Sequence, residues 1–197
     1  METPEKKEPE KKEDRRVRRT RKLLTQALTE LLQKKQINEI TVKELTDLAD
    51  MNRGTFYLYY KDVFDMLEKI EDSMFETLDS ILSLHEQEDV AAQARLILTD
   101  LFRFIEDNRE MCRVLLSPHG DMNFLHRLNE VVREKCLQAW PGVRDVDDVT
   151  FEYHYNFVIF GCGGVIRAWV NRDCLEPAEQ MAELADFMIR RGSLTDV

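Results

Sequence analysis

The chain has 197 residues, of which 43% are hydrophobic and 34% charged, and its formal net charge is -10 at pH 7. It contains no run of about 18 apolar residues, so we expect no membrane span. It also begins with a charged stretch rather than a secretory signal, and we therefore predict a soluble, cytoplasmic protein.

The first 14 residues carry charges of both signs and two prolines but no large apolar residue after Met1, a composition typical of a disordered tail. From Arg15 a run of basic residues leads into a first predicted helix, which ends near Lys35. Its apolar residues recur at helical spacing: Leu23, Leu24, Ala27, Leu28, Leu31 and Leu32. Basic side chains at a helix start oppose the helix dipole, a cost that a phosphate backbone would offset. A solvated charged face is the alternative interpretation.

Residues 41–61 contain the start signals of two short helices. Thr41 precedes the apolar residues of the first helix and Glu44 follows three places later, which predicts a capping box. This helix ends at Asp50, and Asn52 provides a cap for a second helix that contains Phe56. Two short helices joined by a tight turn predict a helix-turn-helix.

The second of these helices has one apolar face, because Phe56 and Tyr60 lie one helical turn apart. Its other positions form a polar and aromatic surface, which consists of Arg53, Gly54, Thr55, Tyr57 and Tyr59. Such a surface suits the base edges and phosphates of a DNA major groove, and a glycine permits close approach of the backbone. A solvated helical hairpin is the alternative.

Charge is divided unevenly along the chain. Residues 15–61 hold eleven basic and five acidic side chains, a net charge of +6, whereas residues 62–197 have a net charge of -14. The positive potential therefore lies where the predicted helix-turn-helix would meet phosphates.

Apolar spacing predicts further helices over residues 62–84, 90–107, 109–116, 121–140, 148–172 and 177–191, with Asp121 as a cap. No segment in this part shows the pattern of a strand. We therefore predict an all-α fold, with a three-helix helix-turn-helix domain at residues 15–61. A helical bundle for regulation and dimerisation follows at residues 62–197.

The helix predicted over residues 148–172 has two stripes. One is apolar and consists of Phe151, Tyr155, Val158, Cys162, Val165 and Trp169; the other is small and consists of Gly161, Gly164 and Ala168. A glycine inside a helix costs about 1 kcal/mol relative to alanine, so close approach of another helix is the expected compensation. A core contact within the same chain would explain the spacing equally well.

The run DMNRGTFYLYYKD, residues 50–62, resembles the signature of the TetR family of bacterial transcription regulators. The resemblance covers residues 15–65 in detail and the remainder only as helices of suitable length. It implies a homodimer that binds double-stranded operator DNA. The residues that it assigns to DNA contact are Thr41, Lys43, Arg53, Gly54, Thr55, Tyr57, Tyr59 and Lys61.

Three positions depart from the usual pattern of that family. Asp50 stands where glycine usually makes the turn, and aspartate adopts left-handed conformations more readily than most residues. Asn52 replaces a serine and retains the ability to cap. Val63 stands where a phosphate-binding lysine is typical, so we expect that contact to be lost or to move to Lys61.

In TetR-like proteins the last two long helices of each subunit pair across the dimer. The resemblance therefore implies that the interface includes Gly161, Gly164, Ala168, Leu184 and Met188.

The cysteines and histidines match no compact metal-binding or catalytic motif. The cysteines are Cys112, Cys136, Cys162 and Cys174, and we expect buried thiols. The histidines are His85, His119, His126 and His154, of which two lie near Asp121. We expect no metal, no cofactor and no enzyme activity.

These observations predict a transcriptional repressor that a small hydrophobic effector releases from its operator. The candidate effector contacts are Met74, Leu78, Phe102, Phe124 and Tyr155. The alternative is a regulator whose second domain binds a partner protein, and an enzyme with a helical N-terminal domain is a third interpretation. A wide apolar cavity would favour the effector, whereas a filled core with an exposed apolar patch would favour the partner protein.

Overall fold

The computed structural model describes residues 15–83, 90–117, 122–139 and 147–191. Within these ranges all regular secondary structure is helical, which confirms the predicted all-α fold class. The α-helices are α1 (Arg15–Leu32), α2 (Val42–Leu48), α3 (Arg53–Tyr57), α4 (Val63–Ser83), α5 (Val90–Asp107), α6 (Arg109–Leu115), α7 (Met122–Ala139), α8 (Asp148–Asn171) and α9 (Ala178–Arg191). The predicted tail, the predicted cap Asp121, and His85 and His119 lie outside the described residues.

The chain forms two compact units, Met1–Met66 and Leu67–Val197. The division falls within α4, later than the domain limit that the sequence predicts at residue 61. In the ranges that the structure describes, no helix is both long enough and apolar enough to cross a membrane.

The first unit packs α1, α2 and α3 around a small apolar core. Its fully buried side chains are Leu24, Leu28, Leu45, Phe56 and Met66. Burying one such side chain stabilises a protein by about 1.5–3 kcal/mol. This core therefore holds two helices, α2 and α3, that are too short to be stable alone.

The link between α1 and α2 contains a 3-10 turn, Ile37–Glu39, that the sequence analysis did not predict. The Thr41 hydroxyl accepts from the backbone N–H of Glu44 at 3.2 Å, as the predicted capping box requires. The Glu44 carboxylate, however, accepts from Lys35 Nζ at 2.6 and 2.5 Å. An ion pair that ties the end of α1 to α2 thus replaces the second half of the box.

The second unit is built around one cluster of buried side chains that comes from α4 to α9. Within it the ring of Phe102 meets that of Trp169 edge-on, with centroids 5.3 Å apart, and the Phe75 and Phe124 centroids are 4.8 Å apart. Trp169 Nε1 donates to the carbonyl oxygen of Glu176 at 2.9 Å. This bond satisfies the indole N–H, which would otherwise be costly to bury.

The connection from α8 to α9 passes through two residues in the left-handed region, Asp173 at φ 58° and Cys174 at φ 53°. Arg113 fixes this reversal from α6, because its Nη2 donates to Val170 O at 2.9 Å and to Asp173 Oδ1 at 2.7 Å. The reversal brings α9 back beside α8, so their exposed faces belong to one unit.

The described thiols are largely removed from solvent. Cys112 and Cys174 are buried, as predicted, and Cys162 is only half-buried, whereas the side chain of Cys136 lies outside the described residues. Burial, and to a lesser extent the neighbouring Cys174, raises the pKa of Cys112 to about 12. A thiol that stays protonated at neutral pH is a poor nucleophile, so Cys112 acts as a small apolar residue.

Candidate DNA-binding surface

Asp50 makes the turn between α2 and α3, with a φ of 51°. This left-handed conformation costs most residues roughly 1–2 kcal/mol, and aspartate is among those that adopt it most readily. The backbone N–H of Met51 then donates to Thr46 O at 2.9 Å, which closes the end of α2. The prediction that Asp50 serves in place of glycine is confirmed.

Asn52 determines where α3 begins. Its Oδ1 accepts from the backbone N–H of Gly54 at 2.8 Å, so the predicted cap is present. The helix that follows is only five residues long, and Phe56 is its one fully buried residue. The Phe56 ring packs against those of Tyr57 and Tyr60, with both centroids 5.5 Å away. One buried ring therefore orients α3 and leaves its remaining side chains at the surface.

The eight residues predicted to contact DNA all reach the surface of the first unit. Thr41, Lys43, Arg53, Gly54, Tyr57 and Lys61 are exposed, and Thr55 and Tyr59 are half-buried. The structure brings the residues of α3 together on one surface and places Thr41 and Lys43 at the start of α2. Their contact with DNA stays a prediction.

An arginine of α1 adds to this surface, which the sequence analysis did not assign. The guanidinium carbon of Arg21 lies 5.6 Å from the centroid of the Tyr59 ring. Such a cation–π contact contributes about 0.5–1 kcal/mol at an exposed site and limits the orientations of the tyrosine. The basic run of α1 was the available signal, but the pairing depends on tertiary packing that periodicity does not specify.

At the start of α4, Val63 occupies the position where the family usually has a phosphate-binding lysine. Val63 is 4% exposed and cannot reach a phosphate. Asp62 Oδ1 accepts from the backbone N–H of Asp65, and Asp65 Oδ2 accepts from that of Lys61, at 2.8 and 2.9 Å. These bonds fix the backbone beside Lys61, whose side chain is exposed. That Lys61 supplies the missing cation stays a prediction.

Gly54 has no packing reason within the chain to be a glycine. A Cβ at this position would meet only Asn52 Oδ1, at 3.4 Å, which is ordinary contact. Its φ also lies outside the left-handed region. The prediction that Gly54 lets another molecule approach the backbone of α3 closely therefore has no competing explanation from the described residues around it.

The five candidate effector contacts are all buried: Met74, Leu78, Phe102, Phe124 and Tyr155. The structure brings three of them into the main core cluster, whereas Leu78 and Tyr155 are buried outside it. The Tyr155 hydroxyl lies 2.6 Å from Asn129 Oδ1 and 2.8 Å from Asn129 O, so the chain itself satisfies the one polar group of the set.

A small cleft elsewhere in the second unit contains none of these five residues. Its volume is about 110 Å³, and it is lined by Arg113, Leu116, Ser117, Arg167, Val170 and Asn171. Pockets for drug-sized ligands usually measure roughly 300–1,000 Å³. This cleft is therefore too small for such a ligand, and the predicted effector contacts are packed interior. The wide apolar cavity that would favour an effector is thus not open at these five residues in the part of the chain that the structure describes.

The five candidate interface residues are all exposed: Gly161, Gly164, Ala168, Leu184 and Met188. A Cβ added to Gly161 or Gly164 would meet no atom of the described residues within 4 Å, apart from its own helix. A close contact with another described helix of the same chain therefore does not account for these glycines.

Large aromatic residues that the sequence analysis did not assign lie on the same face of α8. Tyr153, Phe157 and Phe160 are 75%, 67% and 73% exposed, and Phe187 of α9 is also exposed. The opposite face of α8 is buried, including Trp169. The available signal was that apolar residues occur around the whole circumference of α8, more than one buried face accommodates.

Gly54→Ala tests whether the bare backbone of α3 serves a contact with DNA. We expect the variant to fold with unchanged or higher thermal stability, because alanine favours a helix and its Cβ finds room. Its affinity for an operator duplex should fall by about 1–3 kcal/mol, the usual cost of overpacking a close contact. Melting curves and fluorescence anisotropy measure the two effects, and a folded variant with unchanged affinity would refute the assignment.

The chain is similar to known proteins over most of its length. A family model for TetR-type proteins, described as "Transcriptional regulator C-terminal region", matches residues 93–191. The nucleoid occlusion factor SlmA of Marinomonas sp. is 29% identical over an alignment of 181 residues that covers 83% of this chain and 86% of SlmA.

A second relative is the uncharacterised HTH-type transcriptional regulator YxbF of Bacillus subtilis, 23% identical over 161 residues. The match takes in 80% of this chain but spans only 41% of the length of that protein. The solved structure of FadR from Bacillus subtilis in complex with stearoyl-CoA superposes with a TM-score of 0.62. It covers 87% of this chain and 98% of FadR at 15% identity, which shows a shared fold.

The family model and the sequence signature lie in different parts of the chain. The signature occupies residues 50–62, whereas the model matches half of the chain, all of it within the second unit. Two separate segments thus indicate the same family, and the helical fold agrees with both. The chain belongs to the TetR family of transcription regulators.

Proposed function

We propose that this regulator binds operator DNA by inserting α3 into the major groove. The observation that carries the proposal is the outward surface of α3, where exposed Arg53 and Tyr57 flank the bare backbone of Gly54. A guanidinium can donate two hydrogen bonds to one guanine, whereas a phenol more often contacts a phosphate. The surface therefore combines a base-reading group with an anchoring group.

The charges around this surface support the same proposal. The basic residues at the start of α1 are exposed: Arg15, Arg16, Arg18, Arg19, Arg21 and Lys22. They supply six of the eleven basic residues that give residues 15–61 a net charge of +6, and this charge produces a field that attracts the DNA backbone. Such contacts do not depend on sequence, and they weaken as salt concentration rises.

The regulator acts as a homodimer in this proposal, with α8 and α9 as the interface. The support is that both helices expose apolar side chains. Exposed aromatic residues lie on the same face of α8 as its glycines, and Leu184 and Met188 are exposed on α9. Exposed apolar surface of this extent usually marks a protein contact. A two-fold dimer would present two copies of α3 to an operator with two half-sites.

We further propose that a mostly apolar small molecule releases this repressor from its operator. One structural neighbour, FadR of Bacillus subtilis, was solved with stearoyl-CoA. The candidate contacts in this chain are apolar except for the Tyr155 hydroxyl. Because they are packed together, the effector would bind a state in which this core is open, and it would shift the population toward that state.

Arg53→Ala and Tyr57→Phe form a matched pair that tests the DNA-binding surface. Arg53→Ala should reduce discrimination at one base pair of each half-site by about 1–3 kcal/mol, because a bidentate contact to a base is lost. Tyr57→Phe should weaken all sequences to a similar extent, because a phosphate contact carries no sequence information. Binding to a library of single-base variants measures both, and an unchanged ranking of sequences by Arg53→Ala would contradict the base-reading role.

Gly164→Leu tests the dimer face. Gly164 is exposed and an added Cβ would meet nothing within 4 Å among the described residues, so we expect the variant to fold, while the close contact between subunits should be lost. Sedimentation should show a monomer at concentrations where the native protein is dimeric. His126→Leu, which adds leucine to an exposed position of α7, is the control and should remain dimeric. A folded Gly164→Leu protein that sediments as a stable dimer would overturn the interface.

Stearoyl-CoA serves as the probe for effector control, with free coenzyme A as the control that lacks the acyl chain. We expect stearoyl-CoA to raise the Tm of the protein and to weaken operator binding. Linkage requires that DNA weaken stearoyl-CoA binding by the same factor. Stabilisation without any change in operator affinity would contradict release by an effector and favour control by a partner protein.

A further inference from the structure

Leu58 is the most exposed large hydrophobic residue in the described ranges, at 76%. It occupies the C-cap of α3 with helical dihedral angles, φ -70° and ψ -22°. The N–H groups of Tyr59 and Tyr60 both donate to Phe56 O, at 3.0 and 3.1 Å, so the backbone around Leu58 still follows a helical path. Its position relative to the rest of α3 is therefore well defined.

Helical geometry places Leu58 on the outermost face of α3. Each residue turns the helix by about 100°, so a residue two positions after the buried Phe56 points away from the core. Gly54 lies four positions before Leu58 and hence on the same face, one turn earlier. The outermost ridge of α3 thus consists of bare backbone followed by a single leucine.

A leucine at this position can recognise only apolar groups, since its side chain has no donor and no acceptor. Two basic residues of the same segment, Arg53 and Lys61, are also exposed. Those groups would hold DNA against the ridge, where the absence of a side chain at Gly54 permits close approach. In a major groove the apolar group that bases display is the C5-methyl group of thymine.

We propose that Leu58 contacts the C5-methyl group of a thymine in each operator half-site and thereby determines specificity at that base pair. This inference rests on the proposed DNA binding and names a base that α3 reads. It assigns sequence discrimination to an apolar contact, in addition to the hydrogen bonds expected of Arg53.

Deoxyuridine substitution isolates this contact, because uracil differs from thymine only by the missing methyl group. A duplex is first selected by the native protein from a random pool, and each thymine is then replaced singly by deoxyuridine. The native protein should lose about fourfold in affinity at one thymine of each half-site, the effect of one methyl group left unburied. Leu58→Ala should bind the parent duplex more weakly and show no further loss at that thymine.

Leu48→Ala is the matched control, since Leu48 is another exposed leucine of the first unit but lies on α2. It should retain the native response to deoxyuridine. Both variants change exposed residues, and melting curves confirm that they remain folded. If Leu58→Ala keeps the native deoxyuridine profile, or if the native protein responds to no substitution, the inference is overturned while DNA binding stands. If the native protein selects no duplex, the proposed function itself fails and the inference fails with it.

Discussion

The burial of Phe56 is the interaction on which the DNA-binding surface depends. Helix α3 has five residues, and a helix of this length does not persist in water without tertiary contacts. Its N-terminal end is set locally, because Asn52 Oδ1 accepts from the N–H of Gly54 at 2.8 Å and Asp50 makes the left-handed turn just before it. Its rotation about its own axis is set by the single ring that enters the core. Once Phe56 faces inward, Arg53, Gly54, Tyr57 and Leu58 face outward, so one apolar contact determines which side chains another molecule meets.

Helix α8 also has one face buried in the core and the opposite face exposed, over a greater length than α3. Burying Trp169 and the other core residues of this helix forces Tyr153, Phe157 and Phe160 to the opposite side, where no described part of the chain covers them. On α3 the outward residues are mostly polar and suit a charged partner. On α8 the outward residues are aromatic side chains and glycines. This surface suits a second apolar surface that can approach closely at the glycines. The two surfaces thus follow one rule of helix geometry but favour partners of different chemistry.

Local signals in the sequence predicted most of the helices, because caps and apolar spacing act over only a few residues. Asn52, Asp50 and Thr41 each behave as their side-chain chemistry requires. What escaped prediction depends on residues distant in sequence. The Glu44 carboxylate turns to Lys35 instead of completing its box, and Arg21 lies over Tyr59. The exposure of the α8 aromatic residues also needed the fold, since periodicity cannot say which of two apolar faces is buried. For the same reason the effector contacts were predicted as a set of apolar positions, without the packing that closes them.

Hydroxyl-radical footprinting of the selected duplex tests most directly whether two chains each place α3 in a major groove. The expected result is two protected segments related by an inverted repeat, with centres about one helical turn, or a multiple of it, apart. Protection should weaken together in both segments as salt rises, because the phosphates of each half-site face residues 15–61, which have a net charge of +6. A single protected segment without an inverted repeat, or uniform protection along any duplex, would contradict this account of the protein.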